Sequence, residues 1–423
     1  MPQLEKYVIQ GGIPLKGTVS ISGAKNAALP LLAATLLTKD TVTLHNVPVL
    51  ADISTMFTLL EILGKKIIRN GTTVIIEEHQ NLNVEAPYDI VSKMRASIAV
   101  MGPLTARIGR AKISFPGGCA IGPRPIDLHI KGIEELSASC SIEHGYLIVE
   151  TSGNLVGKTM DLSGKNGSSV LATENIMMAA TLAKGKTTIN GAAKEPEVSD
   201  LANMLINMGA KISGIGTSSL VIEGTKALHG TEYTVVADRI EAGTFILAAG
   251  ITQGDIIIEN CVPEHLEEPI RLFRESGMTI EILSSTSLRA CGGKIKGVNV
   301  ATLPYPGFPT DLQAQFLTML SIADGNSSVE ENIYPDRYMH AAELNRMGAD
   351  IHIDQAHATI RGVPQLSGAA IMSSDLRGGA ALVLAGLASE GETQVLRIYH
   401  IDRGYEMFEQ KLSGLGAQIR RTR

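Results

Sequence analysis

Tryptophan is absent from the 423 residues, and aromatic residues together make up only 4% of them. That leaves few platforms on which single-stranded bases could stack. Positive charge is not in excess either: Lys+Arg number 37 against 43 Asp+Glu, a net charge of −6, so no basic field draws the chain to nucleic acid or to a membrane surface. The four cysteines, Cys119, Cys140, Cys261 and Cys291, lack Cys-x-x-Cys spacing and are too sparse for a disulfide framework. The ten histidines are scattered without ligand spacing, so no metal is expected. No apolar run is long enough to span a bilayer, and Met-Pro-Gln-Leu-Glu-Lys is no signal peptide. These absences predict a reduced, soluble, cytoplasmic protein.

What is present is periodicity. Leu60-Glu-Ile-Leu-Gly64-Lys-Lys-Ile67 recurs as Leu205-Ile-Asn-Met-Gly209-Ala-Lys-Ile212, Leu344-Asn-Arg-Met-Gly348-Ala-Asp-Ile351 and Leu412-Ser-Gly-Leu-Gly416-Ala-Gln-Ile419. Weaker copies run through Gly277 and Ser137. Six units of about 70 residues therefore fill the chain. In each, an apolar helix ends in a residue suited to a left-handed closing position, and two alternating strands follow. A second helix rich in Ala and Leu leads into a β-branched strand; examples are Met177–Leu182, Phe245–Ala249, Phe316–Ile322 and Ala380–Leu387. In the second unit that helix is expected over Ser97–Leu104, with Pro103 inside it. Three such units around one centre make a domain of about 200 residues, so the fold is expected to be α/β with two three-unit domains.

The residues opening the Ala/Leu helices are charged or polar: Ser22-Gly-Ala-Lys25-Asn26, Lys93-Met-Arg95, Ser168-Ser169, Asp238-Arg239, Thr310-Asp311 and Asp375-Leu-Arg377. Helix N-termini carry unpaired N–H groups and partial positive charge, so they favour anions. Ser22 and Asp238 also suit simple N-capping. A lysine or arginine at such an end is unfavourable without an anion, which marks Lys25, Arg377 and, in Ile401-Asp-Arg403-Gly-Tyr405, Arg403. No complete Walker A loop occurs, because Ser152 stands where the glycine before Gly157-Lys158-Thr159 would be, and no Gly-x-Gly-x-x-Gly opens a helix. Another loop, Pro116-Gly-Gly-Cys119-Ala-Ile-Gly-Pro-Arg124-Pro125, is too rich in glycine and proline for regular structure. Its thiol, close in sequence to a guanidinium, is either a reactive group with a lowered pKa or a small apolar side chain under a turn.

Together, Ser22-Gly-Ala-Lys-Asn-Ala-Ala-Leu-Pro30, Met94-Arg-Ala-Ser97, Pro116-Gly-Gly-Cys119, Arg124-Pro-Ile-Asp-Leu-His129, Phe308-Pro-Thr-Asp-Leu-Gln-Ala-Gln315 and Ile398-Tyr-His-Ile-Asp-Arg-Gly-Tyr405 resemble the UDP-N-acetylglucosamine enolpyruvyl transferases. The resemblance runs from about residue 4 to 421. It implies the two-domain inside-out α/β barrel shared with the shikimate-pathway enzyme, with three repeats per domain. One domain would span 25–232 and the other 1–24 plus 233–423, with the active site in the cleft between them. It also implies transfer of the enolpyruvyl group of phosphoenolpyruvate to the 3-hydroxyl of UDP-N-acetylglucosamine, releasing phosphate, in the first committed step of peptidoglycan synthesis. No cofactor, nucleic acid, membrane or obligate protein partner is implied.

Carried over residue by residue, Lys25, Arg124 and Arg403 match the cations that hold phosphoenolpyruvate, with Asn26 and Arg377 beside them. Cys119 matches the thiol that protonates the methylene carbon, and an electrophilic phosphonate such as fosfomycin would attach there. Asp311 matches the carboxylate facing the sugar hydroxyl, the base. Arg95, Arg124, Pro125, Ile126, Asp127, Leu128, Ser169, Val170 and Ile333 match positions lining the sugar nucleotide. The chain departs from the family in Ser163-Gly-Lys-Asn-Gly-Ser-Ser-Val-Leu-Ala-Thr173, which is longer and has Leu171 in place of glycine. That segment bears on Lys165, Ser169 and Val170, and it is the one feature favouring a silent sugar-nucleotide sensor over an enzyme. The shikimate-pathway enzyme itself lacks the cysteine loop.

Overall fold

A computed structural model describes residues 5–115, 126–165 and 167–423. They divide into two compact units, one of residues 23–236 and one that joins the chain up to Ser22 with Ala237–Arg423. The polypeptide thus passes from one unit to the other at 22–23 and returns at 236–237.

Among the described residues are six four-stranded sheets of one plan and a two-stranded ladder. In each four-stranded sheet a short parallel edge strand lies beside a central strand, and two antiparallel strands complete the row. Thr159–Asp161 pairs in parallel with Lys186–Asn190, which pairs antiparallel with Ser219–Glu223 and through it with Lys211–Ser213. In the other unit Asn299–Ala301, Asn326–Glu330, His357–Arg361 and Asp350–Asp354 follow the same order. The second passage between units comes after the strand Glu232–Thr234, which pairs in parallel with Val42–His45.

The helix ends have one backbone solution. Gly64, Gly209, Gly277, Gly348 and Gly416 all have φ near +100°, and Ser137, in the weakest copy of the motif, also takes a positive φ of 72°. A left-handed residue closes each helix so that the next strand can fold back.

The Ala/Leu helices are apolar on every side, and a helix of that kind belongs in a core. Arg239–Ile251 is buried along its whole length, Gln313–Leu320 likewise, and Leu376–Ala388 nearly so. The three pack on one another, and their side chains merge into one apolar cluster with the inner faces of that unit's sheets. The 23–236 unit has a similar centre in Lys25–Ala34, Met101–Ile108 and Val170–Ala180, the last packing on the other two. Helices therefore fill the middle of each unit and sheets wrap them, and the starts of the helices become the natural place for polar chemistry.

The two passages are held by buried carboxylates. In one unit the Ser22 amide donates to Glu241 at 2.7 Å, and Lys411 Nζ donates to both Ser22 Oγ and Glu241 at 2.7 and 2.6 Å. Burial raises the Glu241 carboxyl to about 7, against the pull of Lys411. In the other, Asp200 accepts from the Tyr233 hydroxyl at 2.8 Å and from the Val236 amide at 3.2 Å; burial lifts it to about 6. Ser22 consequently caps no helix: the N-cap of Lys25–Ala34 is Ala24, which makes no side-chain capping bond.

Glu174, in the middle of the Val170–Ala180 helix, is fully buried, and neither carboxyl oxygen has a hydrogen bond among the described residues. Burial, reinforced by Glu197 and Glu195, drives its pKa well up. The folded protein therefore keeps a proton that the unfolded chain releases near the ordinary value of about 4.3. Its contribution to stability is complete below that value and is lost as pH rises toward the raised one, at up to about 1.4 kcal/mol per pH unit. Glu174→Gln, which mimics the neutral acid, is expected to lose less stability than the parent between pH 5 and 8. Urea unfolding across that range checks this, and parallel curves would contradict it.

Candidate active site

The unit containing Ala237–Arg423 gathers its charges around one carboxylate. Asp311 lies in the 3-10 turn Thr310–Leu312, between Pro309 and the Gln313–Leu320 helix, and caps neither element. Its Oδ1 accepts from Arg337 Nη1 at 2.8 Å and its Oδ2 from Arg377 Nη2 at 2.9 Å. Both guanidiniums are buried, with relative exposures of 6% and 1%. A carboxylate has about four acceptor positions, and each oxygen of Asp311 gives one of them to a guanidinium.

Arg377 is aimed by its helix and by a ring. Asp375 caps the Leu376–Ala388 helix by accepting from the Arg377 and Gly378 amides, each at 3.0 Å. The Arg377 guanidinium sits 5.3 Å from the centre of the Tyr405 ring. The Tyr405 hydroxyl is fixed in turn by Thr244 Oγ1 and Gln315 Nε2, both at 2.9 Å. Burial pulls the pKa of each arginine down, but Asp311, joined by Asp375 for Arg337 and by Tyr405 and Asp238 for Arg377, more than offsets it, and both lie above the ordinary value. Burial alone would raise Asp375; the Gly378 amide, Arg337 and His340 overcome it and hold the carboxyl low. His340, buried in the same cluster, is depressed to about 4 by desolvation, with Asp375 opposing. Removing charges from water costs several kcal/mol per ion, and charge buried so deliberately is typical of functional sites.

Glu331 ties this turn to a second candidate. Fully buried, it accepts from Thr302 Oγ1 at 2.8 Å and Thr310 Oγ1 at 2.9 Å, and from the Ile333 and Tyr334 amides at 2.9 and 3.0 Å. It thereby places Ile333 and Asp311 together. Arg403 ends the 3-10 helix Ile398–Arg403, which packs on Leu376–Ala388. Burial and then Arg403 lower the neighbouring His400. Asp238 is the N-cap of Arg239–Ile251, accepting from Ile240 and Glu241 amides.

In the 23–236 unit Lys25 is the first residue of its helix, and its Nζ lies 3.5 Å from the buried Asp52 carboxylate. The anion that a cation at a helix start requires is thus partly supplied by the protein. Asn26 follows in the same turn. Arg95 opens the 3-10 helix Arg95–Val100, and the α-helix begins only at Met101. The helix expected over Ser97–Leu104 is displaced so that Pro103, which lacks an N–H, falls in its first turn, where that donor has no partner to lose. Ile126 precedes the Asp127–Glu135 helix, where Asp127 is exposed in the first turn and Leu128 half-buried. Ser169 caps Val170–Ala180, its hydroxyl accepting from Ala172 N at 3.3 Å. Ahead of it, Ser163–Gly164 pairs with Gly167–Ser168 as a short hairpin, and Leu171 falls inside the helix. Cys119, Arg124 and Pro125 lie outside the described residues.

Sequence reasoning missed Arg337, Glu331, Tyr405 and Asp52. Arg337 stands in Tyr334-Pro-Asp-Arg337, with no periodic or capping signal to single it out. Tyr405 was within a quoted motif, but only the fold shows it beneath Arg377.

Residues 9–412 match the family model described as EPSP synthase (3-phosphoshikimate 1-carboxyvinyltransferase). The chain is 51% identical over 419 residues to a UDP-N-acetylglucosamine 1-carboxyvinyltransferase of Methylacidiphilum infernorum, covering 99% of each. It is 53% identical over 422 residues to UDP-N-acetylglucosamine 1-carboxyvinyltransferase 2 of Carboxydothermus hydrogenoformans, covering 99% of this chain and all of that one. Among solved structures, the enolpyruvyl transferase NikO from Streptomyces tendae superposes with a TM-score of 0.90 at 23% identity, covering 100% of this chain and 99% of that one. An EPSP synthase from Acinetobacter baumannii gives 0.78 at 18%, covering 99% and 100%. Those two likenesses establish the enolpyruvyl transferase fold, and the identity across whole chains goes further: this chain belongs to the EPSP synthase family and, within it, to the UDP-N-acetylglucosamine 1-carboxyvinyltransferases.

Proposed function

We propose that this protein transfers the enolpyruvyl group of phosphoenolpyruvate to the 3-hydroxyl of UDP-N-acetylglucosamine, releasing phosphate, as the first committed step of peptidoglycan synthesis in the cytoplasm. The observation that carries this reading is the Asp311 carboxylate held between two buried guanidiniums at the start of a core helix, in a chain half-identical along its length to enzymes of that name. The six sheets of one plan support six repeats, three in each unit, and the chain crosses between the domains near residues 24 and 232.

In this reading Cys119 gives its thiol proton to the methylene carbon of phosphoenolpyruvate, leaving an oxocarbenium-like C2. The sugar 3-hydroxyl attacks C2 through oxygen, and Asp311 accepts the hydroxyl proton. The Cys119 thiolate takes a proton back from the new methyl group as phosphate departs with its C–O electron pair and collects the proton held on Asp311, which restores the double bond and both side chains. Each positioned proton transfer is worth about 10²–10⁴-fold. Lys25, Arg124 and Arg403, with Asn26 and Arg377, hold the phosphate and carboxylate and stabilise the charge carried through the tetrahedral intermediate. Arg95, Arg124 to Leu128, Ser169, Val170 and Ile333 line the sugar nucleotide. Protein acids, bases and cations account for every step.

Cys119→Ala is expected to lower phosphate release from the two substrates by about 10²-fold or more while leaving UDP-N-acetylglucosamine binding, measured by calorimetry, within about threefold. Near-normal turnover would remove Cys119 from the acid role. Arg337→Gln would leave the Asp311 carboxylate with one cation fewer, and a cost of about 3–5 kcal/mol in stability is expected. Urea unfolding at neutral pH measures it, and an unchanged midpoint would show that Arg337 contributes nothing to the cluster.

A further inference from the structure

One buried amide in the 23–236 unit touches three segments at once. Asn175, on the Val170–Ala180 helix, is fully buried. Its Oδ1 accepts from the Gly102 amide at 2.6 Å, and its Nδ2 donates to the Ile98 carbonyl at 2.8 Å and to His129 Nδ1 at 3.1 Å. The two backbone partners decide which end of the amide is which, because an N–H must meet the oxygen and a carbonyl the nitrogen. His129 Nδ1 is then an acceptor, and the ring proton resides on Nε2. The ring is neutral, since burial, with Arg95 nearby, depresses its pKa to about 3. Gly102 permits the close approach: a Cβ there would stand 2.2 Å from the Asn175 carbonyl oxygen.

Two of the bonded segments, and the helix of Asn175 itself, carry residues assigned above to the sugar nucleotide. Ile98 belongs to the 3-10 helix that Arg95 opens. His129 lies in the first turns of the helix begun by Ile126 and Asp127. Asn175 itself is on the helix capped by Ser169. We propose that Asn175 is a positioning residue for sugar-nucleotide recognition, a single side chain that sets the mutual spacing of the Arg95, Ile126–Leu128 and Ser169 segments. The inference rests on the function proposed above. It adds a residue that touches no substrate and acts through those that do. Misplacing a binding constellation by about 1 Å costs on the order of 10²-fold, whereas phosphoenolpyruvate, which shares only Arg124 with that constellation, responds far less.

The test is two-substrate kinetics on the full-length enzyme. Asn175→Ala is expected to raise KM for UDP-N-acetylglucosamine about tenfold or more, with kcat and KM for phosphoenolpyruvate within about threefold of the parent. His129 supplies a milder probe that spares the core amide. His129→Asn, which returns an acceptor near Nδ1, is expected to keep the parent KM, and His129→Leu to raise it. An unchanged KM in a folded Asn175→Ala protein, or a fall in kcat with both KM values unchanged, would overturn the proposal. If Asn175→Ala does not fold, equal KM values for the two His129 variants would overturn it. A parent enzyme that fails to turn over the two substrates would instead overturn the functional reading itself.

Discussion

The attraction between Asp311 and two buried guanidiniums is the interaction on which the site depends. Neither arginine could remain buried alone, because the desolvation cost of an unpaired ion exceeds what packing returns. Each therefore needs the carboxylate, and the carboxylate is held between them at the mouth of a helix. Tyr405 under Arg377, Asp375 at the start of the next helix, and Glu331 below Thr310 hold the pair in one geometry. The outcome is an anionic acceptor surrounded by fixed positive charge. A hydroxyl beside it would have somewhere to send its proton, and an anionic intermediate would meet cations already in place.

This arrangement follows from turning each unit inside out. A helix built of Ala, Leu, Ile and Met on all sides has no face for water, so it goes to the centre and amphipathic strands enclose it. Side chains along such a helix can only pack. Chemistry is displaced to its first turn, where amides are unpaired and the chain emerges from the core. Lys25, Arg95, Ser169, Asp238, Asp311 and Arg377 all occupy that level. Glu241, one of the carboxylates that hold the passages between units, stands in the first turn of such a helix as well.

Much of this was legible in the residues. The recurring Gly after an apolar helix marked the left-handed closure at 64, 209, 277, 348 and 416, and even the deviant Ser137 proved to take that conformation. The charged helix starts were legible because their local electrostatics are unusual. Pairings made across long stretches of sequence were not. Arg337 reaches Asp311 from the turn before the Met339–Arg346 helix, and Asp52 reaches Lys25 from the Ala51–Ile62 helix; no spacing rule connects them. Asn175 and Glu174 stand side by side in one apolar helix, one with every polar atom bonded and the other with none. Composition treats the two alike, and only the packing around them separates a clamp from a buried neutral acid. Proline in the first turn of Met101–Ile108 shifted a helix boundary in a way that apolar periodicity alone does not show.

The most direct test of the central claim is the single-turnover rate of Asp311→Asn with both substrates saturating. Asparagine keeps the size and one acceptor oxygen but cannot take a proton. The account predicts a rate lower by about 10²-fold or more, with a circular dichroism spectrum like that of the parent. A rate within about threefold of the parent would contradict it, and Asp311 would then be no more than the counter-ion of two arginines.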